Sequence, residues 1–318
     1  MKHRVIHQMQ DNFYHVGNSF EARKTPGQEP FELNSTKLND LAYGTEYPNS
    51  FLDLYLHNDS ETVRHPTLII FHGGGYCIGT KDDGDGTPGA EDRFWFIRSF
   101  VEAGFNVAAP EYVYAPDYRY PTPVLQLSQA VKWLLEHAED YHLDMDHVVL
   151  NGASAGGQLV GQFVNIQTNP DYADEMGIAP VLPAEKIKAL LFNSALTNVE
   201  RFGKTGSFMN NWIFSECGYA YFGVKKFKGN PSVKQAGVLS PMTAAFPPSF
   251  VSDGNTGSFA DQNRRFSERM NELGIPHVLN IYPRREKKLP HGFEGTGDFY
   301  GKDNMAKMLM FLREREII

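Results

Sequence analysis

Three short motifs place residue types that could carry out nucleophilic chemistry in a workable order. Gly152-Ala153-Ser154-Ala155-Gly156 is a G-x-S-x-G. A serine hydroxyl is a weak nucleophile until it is exposed and hydrogen-bonded to a base. A sharp strand-to-helix turn exposes it, and the flanking glycines allow the tight backbone and the close packing of helix on strand. The bare pattern would also suit an ordinary small-residue turn, but here VVL precedes it and a helix-forming stretch follows. His72-Gly73-Gly74-Gly75 closes the apolar run TLIIF. Consecutive glycines let backbone N–H groups face a cavity with no side chain in the way. The N–H groups of Gly74, Gly75 and Ala155 could then stabilise an oxyanion. The loop has neither the G-x-x-x-x-G-K-[ST] pattern nor the G-x-G-x-x-G spacing of a phosphate cradle. His72 itself reads as structural.

The base should be a histidine after the last strand, because the order is Ser, then acid, then His. His291 in LPHGF meets that condition, whereas His277 begins the last strand and is the poorer candidate. Asp82, Asp83 and Asp85 in KDDGDG hint at calcium, but the spacing and the missing closing glutamate fail the EF-hand pattern. They read as a surface loop. No Cys/His spacing suggests zinc, and no metal or organic cofactor is expected.

The elements that must position these residues alternate. FLDLYLH (51–57) alternates apolar and polar, as a half-exposed strand does, and TLIIF (67–71) is continuous, as a central strand is. Further strands are expected at 105–112, 147–153, 188–195, 247–253 and 277–283. Helices are expected at 92–102, 123–141, 156–166, 261–273 and 302–313. In the second of these, Val124, Leu127, Val131, Leu134 and Leu135 share one face. This alternation predicts an α/β fold with a mostly parallel sheet and helices on both faces. Residues 1–50 show no clear period and are expected to cover a single domain spanning 1–318. Residues 167–186 and 197–245 exceed the length of an ordinary αβ connection. The second holds Phe202, Phe208, Met209, Trp212, Phe214, Tyr219, Tyr221 and Phe222. Such density suits a core, yet its place between two strands suits a cap over the site.

Composition bounds the partners. The 318 residues carry a formal net charge of −8, which argues against nucleic acid or an anionic membrane. The basic run Arg284, Arg285, Lys287, Lys288 reads as a solvated loop. Two cysteines, Cys77 and Cys217, make no disulfide framework. The N-terminus lacks an apolar stretch of signal-peptide length, and no run is long enough to span a bilayer. A cytoplasmic location is the default expectation, and a homo-oligomer is left open.

These residues resemble the hormone-sensitive-lipase-like esterases and the related acetyl-esterase and feruloyl-esterase-like group of α/β-hydrolases. Those proteins carry HGGG, then a D-Y-R-like strand end with a following Pro, then G-D-S-A-G-G. The same places here read HGGGY, EYVYAP and NGASAGG. The resemblance runs from about residue 51 to the C-terminus and implies an α/β-hydrolase fold with a cap insertion at 197–245. It also exposes a departure. Relatives place the acid in patterns like G-N-A-D-P-L, where this chain reads Gly254-Asn255-Thr256-Gly257-Ser258-Phe259. Gly257 stands where the acid should be. Asp261, near the start of the following helix, and Asp253, at the strand end, are the nearest substitutes. A dyad with no acid, or an acid from elsewhere such as Glu200, stays open. Ala153 replaces the aspartate common beside the nucleophile.

The expected function is hydrolysis of carboxylic esters, of short-chain carboxylesterase or lipase type, through an acyl-enzyme on Ser154, with a small-molecule ester as partner. Tyr76, after the glycines, and Trp212, in the aromatic insertion, are the candidate substrate contacts. Two other readings stay open. One is a peptidase or amidase, since the same constellation cleaves amides. The other is a weak or inactive ligand-binding protein that lost its acid at Gly257.

Overall fold

The computed structural model describes residues 3–32, 34–83, 92 and 94–318. Its centre is a nine-stranded sheet ordered β1-β2-β3-β5-β4-β6-β7-β8-β9. The strands are β1 (Gly27–Phe31), β2 (Ser35–Ala42), β3 (Phe51–His57), β4 (Pro66–Phe71), β5 (Asn106–Pro110), β6 (Asp144–Ala153), β7 (Ile187–Asn193), β8 (Ser249–Ser252) and β9 (His277–Asn280), and the α-helices are α1 (Arg4–Met9), α2 (Trp95–Glu102), α3 (Thr122–Glu136), α4 (Ala155–Thr168), α5 (Pro170–Met176), α6 (Phe208–Phe222), α7 (Pro231–Gln235), α8 (Ala260–Glu272) and α9 (Phe299–Arg313). β1, β2 and β3 run antiparallel, β3 meets β5 antiparallel, and every pair from β5 through β9 is parallel.

The central strands are apolar on both faces because helices cover both. In β4, Ile69 and Phe71 pack into the larger core with Val124 and Leu127 of α3 (Thr122–Glu136) and Leu159 of α4 (Ala155–Thr168). Leu68 and Ile70 point the other way, to Phe96 and Ile97 of a helix at Trp95–Glu102 and to Met308 and Phe311 of one at Phe299–Arg313. A fully covered parallel sheet needs this continuous apolar strand pattern. In α3, Val124, Leu127, Val131 and Leu134 are buried, as their spacing predicts, while Leu135 at the edge of that face is only partly buried.

The N-terminal fifty residues hold more regular structure than their pattern suggests: a helical turn at Arg4–Met9 and the β1–β2 hairpin. β2 escapes a search for alternating hydrophobes because its buried side chains are polar. Ser35, Lys37, Asn39 and Asp40 all face inward. The reason is electrostatic. Lys37 Nζ lies 3.0 Å from Asp53 of β3 and 3.1 Å from Asp82, while Lys81 Nζ lies 2.7 Å from Asp53 and 2.9 Å from Asp40. Burial would pull Lys81 down, but Asp53 and Asp82 outweigh it and hold the ammonium charged above its usual range. Asp82 is therefore part of a buried ion cluster and not of a surface loop, the setting its sequence suggested. The side chain of Asp83 and all of Asp85 lie outside the described residues. The basic run at 284–288 is exposed, as expected. Cys77 and Cys217 are both buried free thiols. Among the described residues no helix is long and apolar enough to cross a membrane.

The cluster ties the β2–β3 pair to the loop that follows the three glycines. Removing one partner from such a buried set leaves an uncompensated charge. Lys81→Met should therefore lower the unfolding free energy by about 3–5 kcal/mol, measured by urea denaturation. A loss below about 1 kcal/mol would mean the cluster is not the clamp described here.

Candidate active site

The carboxyl ends of the parallel strands assemble the site, where open α/β sheets generally bind ligands. β4 and β6 are neighbours, with Phe71 paired to Gly152. The glycine loop after β4 and the turn after β6 are thereby set side by side. Ser154 forms that turn with φ 51 and ψ −114, outside the usual region for a residue with a side chain. Its Oγ faces a cavity of about 230 Å³.

His291, on the loop after β9, reaches the same point. Its Nε2 lies 2.9 Å from Ser154 Oγ. The rings of Phe214 and Phe259 meet the imidazole edge-on, each with centroids 5.1 Å away. Burial pushes the imidazole down to about 4, so it is neutral at ordinary pH and Nε2 can accept a proton.

Gly74 and Gly75 line the cavity beside Ser154. Gly74 takes φ +93, and a Cβ there would sit 2.0 Å from the carbonyl oxygen of Ile78, so no other residue type fits. Among the described residues, no loop or turn carbonyl accepts from the N–H groups of Gly74, Gly75 or Ala155. Ala155 opens α4, where N–H groups have no intrahelical partner. His72 is structural, as its position suggested. It is fully buried, stacks on Tyr112 with centroids 4.1 Å apart, and places Nε2 2.6 Å from Glu111. Tyr112 Oη donates to the carbonyls of His72 and Gly73 at 2.9 and 3.0 Å. Burial would push Glu111 up, but His72, Arg23 and Lys81 outweigh it and hold the carboxyl below its usual range.

The acid loop is where the sequence expectation needs correction. Asp261 does not approach His291. It lies half-exposed in the first turn of α8 (Ala260–Glu272), paired with Arg201. A first-turn acid is satisfied there by the helix terminus and by solvent. Glu200 accepts from the Gly229 N–H at 2.9 Å, away from the imidazole. Gly257 has φ +64, and its carbonyl accepts from Asn210 Nδ2 at 2.7 Å. A Cβ at Gly257 would meet that Nδ2 at 2.8 Å and the Ser207 Cβ at 3.2 Å, so an aspartate there would be strained and aimed at α6.

The group that touches His291 Nδ1 is Ser258, whose Oγ is 2.8 Å away. The same hydroxyl donates to Asp253 Oδ1. Asp253 Oδ2 accepts from Asn263 Nδ2 of α8 at 2.7 Å. Asp253 is fully buried, and desolvation pushes its carboxyl up to about 7 despite the hydrogen bonds from Ser258, Asn263 and Ser194. The two residues singled out as substrate contacts are elsewhere. Tyr76 is fully buried, donating to Gln158 at 2.8 Å and stacked on Tyr221 at 3.7 Å. Trp212 is half-exposed and does not line the cavity. Its neighbours on α6 (Phe208–Phe222), Ile213, Phe214 and Cys217, form the apolar wall together with Met9 and Tyr14 of the N-terminal segment.

Sequence reasoning missed Ser258 and Glu294. Ser258 follows Gly257 directly, but a search for an acid passes over a hydroxyl. Glu294 is buried and accepts from the Ser194 N–H at 3.0 Å and from Ser194 Oγ. Ser194 Oγ in turn accepts from the Gly292 N–H at 3.1 Å, which fixes the loop beside His291.

The chain has relatives on both counts, sequence and fold. Residues 68–294 match the family model described as the alpha/beta hydrolase fold. The esterase LipI of Mycobacterium tuberculosis is 22% identical over 243 residues, covering 74% of this chain and 68% of that protein. Endo-1,4-beta-xylanase B of Butyrivibrio fibrisolvens is 29% identical over 164 residues, but the match spans 48% of this chain and only 24% of the xylanase. Among solved structures, esterase B from Lactobacillus rhamnosis superposes with a TM-score of 0.71 at 18% identity, covering 91% of this chain and 89% of that one. With the matched region spanning the glycine loop, the serine turn and the histidine loop, this chain belongs to the alpha/beta hydrolase fold family.

Proposed function

We propose that the protein hydrolyses carboxylic esters through an acyl-enzyme on Ser154. The observation that carries this reading is the 2.9 Å contact of Ser154 Oγ with His291 Nε2, made in a cavity that Gly74 and Gly75 also line, with Ala155 next in the chain at the start of α4. Several relatives named as esterases support it. Ser154 Oγ attacks the ester carbonyl carbon while His291 Nε2 takes the hydroxyl proton. The carbonyl oxygen becomes an oxyanion facing the three N–H groups. Collapse breaks the bond to the alkoxy oxygen, and the imidazolium gives that oxygen its proton. Water then repeats the sequence on the acyl-serine and releases the acid. The buried Asp253, reached through Ser258, supplies negative charge behind the imidazole. That weakens the ground for an inactive binder, which rested on a missing acid. The cavity is smaller than the roughly 300–1,000 Å³ usual for drug-sized ligands. A small acyl group held by Met9, Ile213 and Phe214 suits it best.

Ser154→Ala should lose p-nitrophenyl acetate turnover by about 10⁴-fold or more, and a fluorophosphonate probe should label the wild type on Ser154 alone. Turnover surviving in the folded variant would exclude Ser154 as the nucleophile. Widening the wall tests the substrate. Ile213→Ala should raise kcat/KM for hexanoyl over acetyl esters by about fourfold per methylene newly accommodated, from the roughly 0.8 kcal/mol gained in burying each. Trp212→Ala should leave the preference unchanged. A shift on Trp212→Ala with none on Ile213→Ala would place the acyl group outside the cavity described.

A further inference from the structure

We propose that Ser258 is a positioning residue that relays Asp253 to His291, so that four residues in series do the work usually given to a triad. This inference rests on the ester-hydrolase reading above. With Asp253 ionised, the partners leave one direction for every proton. Asn263 Nδ2 donates to Asp253 Oδ2, so the other carboxylate oxygen, Oδ1, is the one left for Ser258. Asn263 is held in that orientation because its Nδ2 also donates to the Ala195 carbonyl at 3.0 Å. With the Ser258 hydrogen on Asp253, a lone pair of Ser258 Oγ faces His291 Nδ1 at 2.8 Å. Nδ1 must then carry a hydrogen, and Nε2 is left bare toward Ser154. When His291 accepts the Ser154 proton, the imidazolium donates to Ser258 while Ser258 stays hydrogen-bonded to the carboxylate. No proton needs to leave Ser258. The hydroxyl sets the tautomer and passes on the field of the buried charge.

The arrangement has a consequence that a direct aspartate would lack. A protonated Asp253 donates to Ser258 Oγ. The Ser258 hydrogen then turns to Nδ1 and drives the imidazole proton onto Nε2, facing Ser154, where it blocks catalysis. Activity therefore needs Asp253 ionised. Around Asp253 stand Ser258 and the Gly254 N–H on its own loop, Asn263 on α8, Ser194 at the end of β7, and His291 across Ser258. Ser194 bridges to the Glu294 carboxylate. Among the described residues no Lys or Arg pairs with Asp253; the ion pair of Arg201 with Asp261, in the first turn of α8, is at the surface. Burial without a cation holds the carboxyl near 7, while His291 is held near 4. The acid limb of kcat/KM should thus report Asp253 and not the imidazole.

The test measures kcat, KM and the pH profile on p-nitrophenyl acetate for wild type and three variants, each checked for a cooperative thermal melt. Wild type should lose activity below an apparent pKa near 7. Ser258→Ala should lower kcat by about 10²–10³-fold with KM changed less than about threefold. Ser258→Thr keeps the hydroxyl and should stay within about tenfold, with the limb near 7 retained. In Asp253→Asn the carboxamide oxygen must face Asn263, so its nitrogen donates to Ser258 and fixes the wrong tautomer. A loss of about 10⁴-fold is expected, with no limb near 7. Ser258→Ala within threefold of wild type, or a limb near 7 surviving in Asp253→Asn, overturns the relay alone. Should Ser258→Ala fail to fold, a limb near 7 present in Ser258→Thr and absent in Asp253→Asn still supports the relay, and any other pattern overturns it. Absence of Ser154-dependent turnover in the wild type overturns the ester-hydrolase reading itself.

Discussion

The backbone of Ser154 is the constraint to which the rest of the site is fitted. A non-glycine residue at φ 51 and ψ −114 stores about 1–3 kcal/mol and persists only where its surroundings over-determine it. Here the next strand does so. The Ser154 N–H donates to the Asn193 carbonyl at 2.9 Å, and the Ser154 carbonyl accepts from the Leu196 N–H at 3.0 Å. Ala153 and Asn193 are register partners across β6 and β7, so the end of β7 grips the turn from both sides. The reward is direction: Oγ projects from the sheet edge into the cavity and does not point back into the core. Ser194, next along β7, also has positive φ, at 46, and is itself held by Glu294.

Three buried carboxylates surround this turn, each fastening one loop. Glu111 grips the glycine loop through His72, Glu294 holds the histidine loop through Ser194, and Asp253 reaches the imidazole through Ser258. Their surroundings separate their roles. Glu111 has Arg23 3.7 Å away and Lys81 close by, so it stays charged and its loop keeps one shape across ordinary pH. Asp253 pairs with no Lys or Arg among the described residues, so desolvation wins and pushes its carboxyl up to about 7. A cation near Asp253 would make the charge permanent, but it would also oppose the protonation of His291 that the proposed mechanism needs.

What could be read from the chain follows from which forces leave a local trace. The serine turn, the glycine loop and the parallel strands around them are set by backbone geometry and continuous burial, and both write themselves into short windows such as TLIIFHGGG and VVLNGASAGG. β2 left no such trace, because Lys37 and Asp40 are buried by partners on β3 and beyond β4 that no window around residue 38 contains. Trp212 and Tyr76 were misplaced for a related reason. An aromatic's neighbours depend on a helix's rotation or a turn's path, and Trp212 falls one residue short of the face that Ile213 presents to the cavity. Asp261 and Asp253 stand equally near the expected position in the sequence, and residue type alone does not separate them. A helix terminus and Arg201 already account for Asp261, while Ser258 carries no charge to draw notice.

The same contrast separates chemistry from selectivity in this molecule. The candidate reacting groups Ser154 and His291 follow strand ends, which the sheet fixes. The apolar wall comes from α6 and the N-terminal segment, which lie outside the sheet. These walls are nevertheless joined to the machinery. Asn210, in the first turn of α6, donates to the Gly257 carbonyl on the loop that carries Ser258. Further along α6, Cys217 packs so closely on the glycine loop that a Cβ at Gly75 would lie 2.8 Å from its sulfur. Phe214 touches the imidazole itself. One helix thus contacts the glycine loop, His291 and the loop of Ser258 at three points along its length. A residue that shifts α6 to admit a larger acyl group would shift those contacts as well. Under the proposed ester hydrolysis, selectivity would be varied at Ile213 and Met9, which line the cavity and make none of these three contacts.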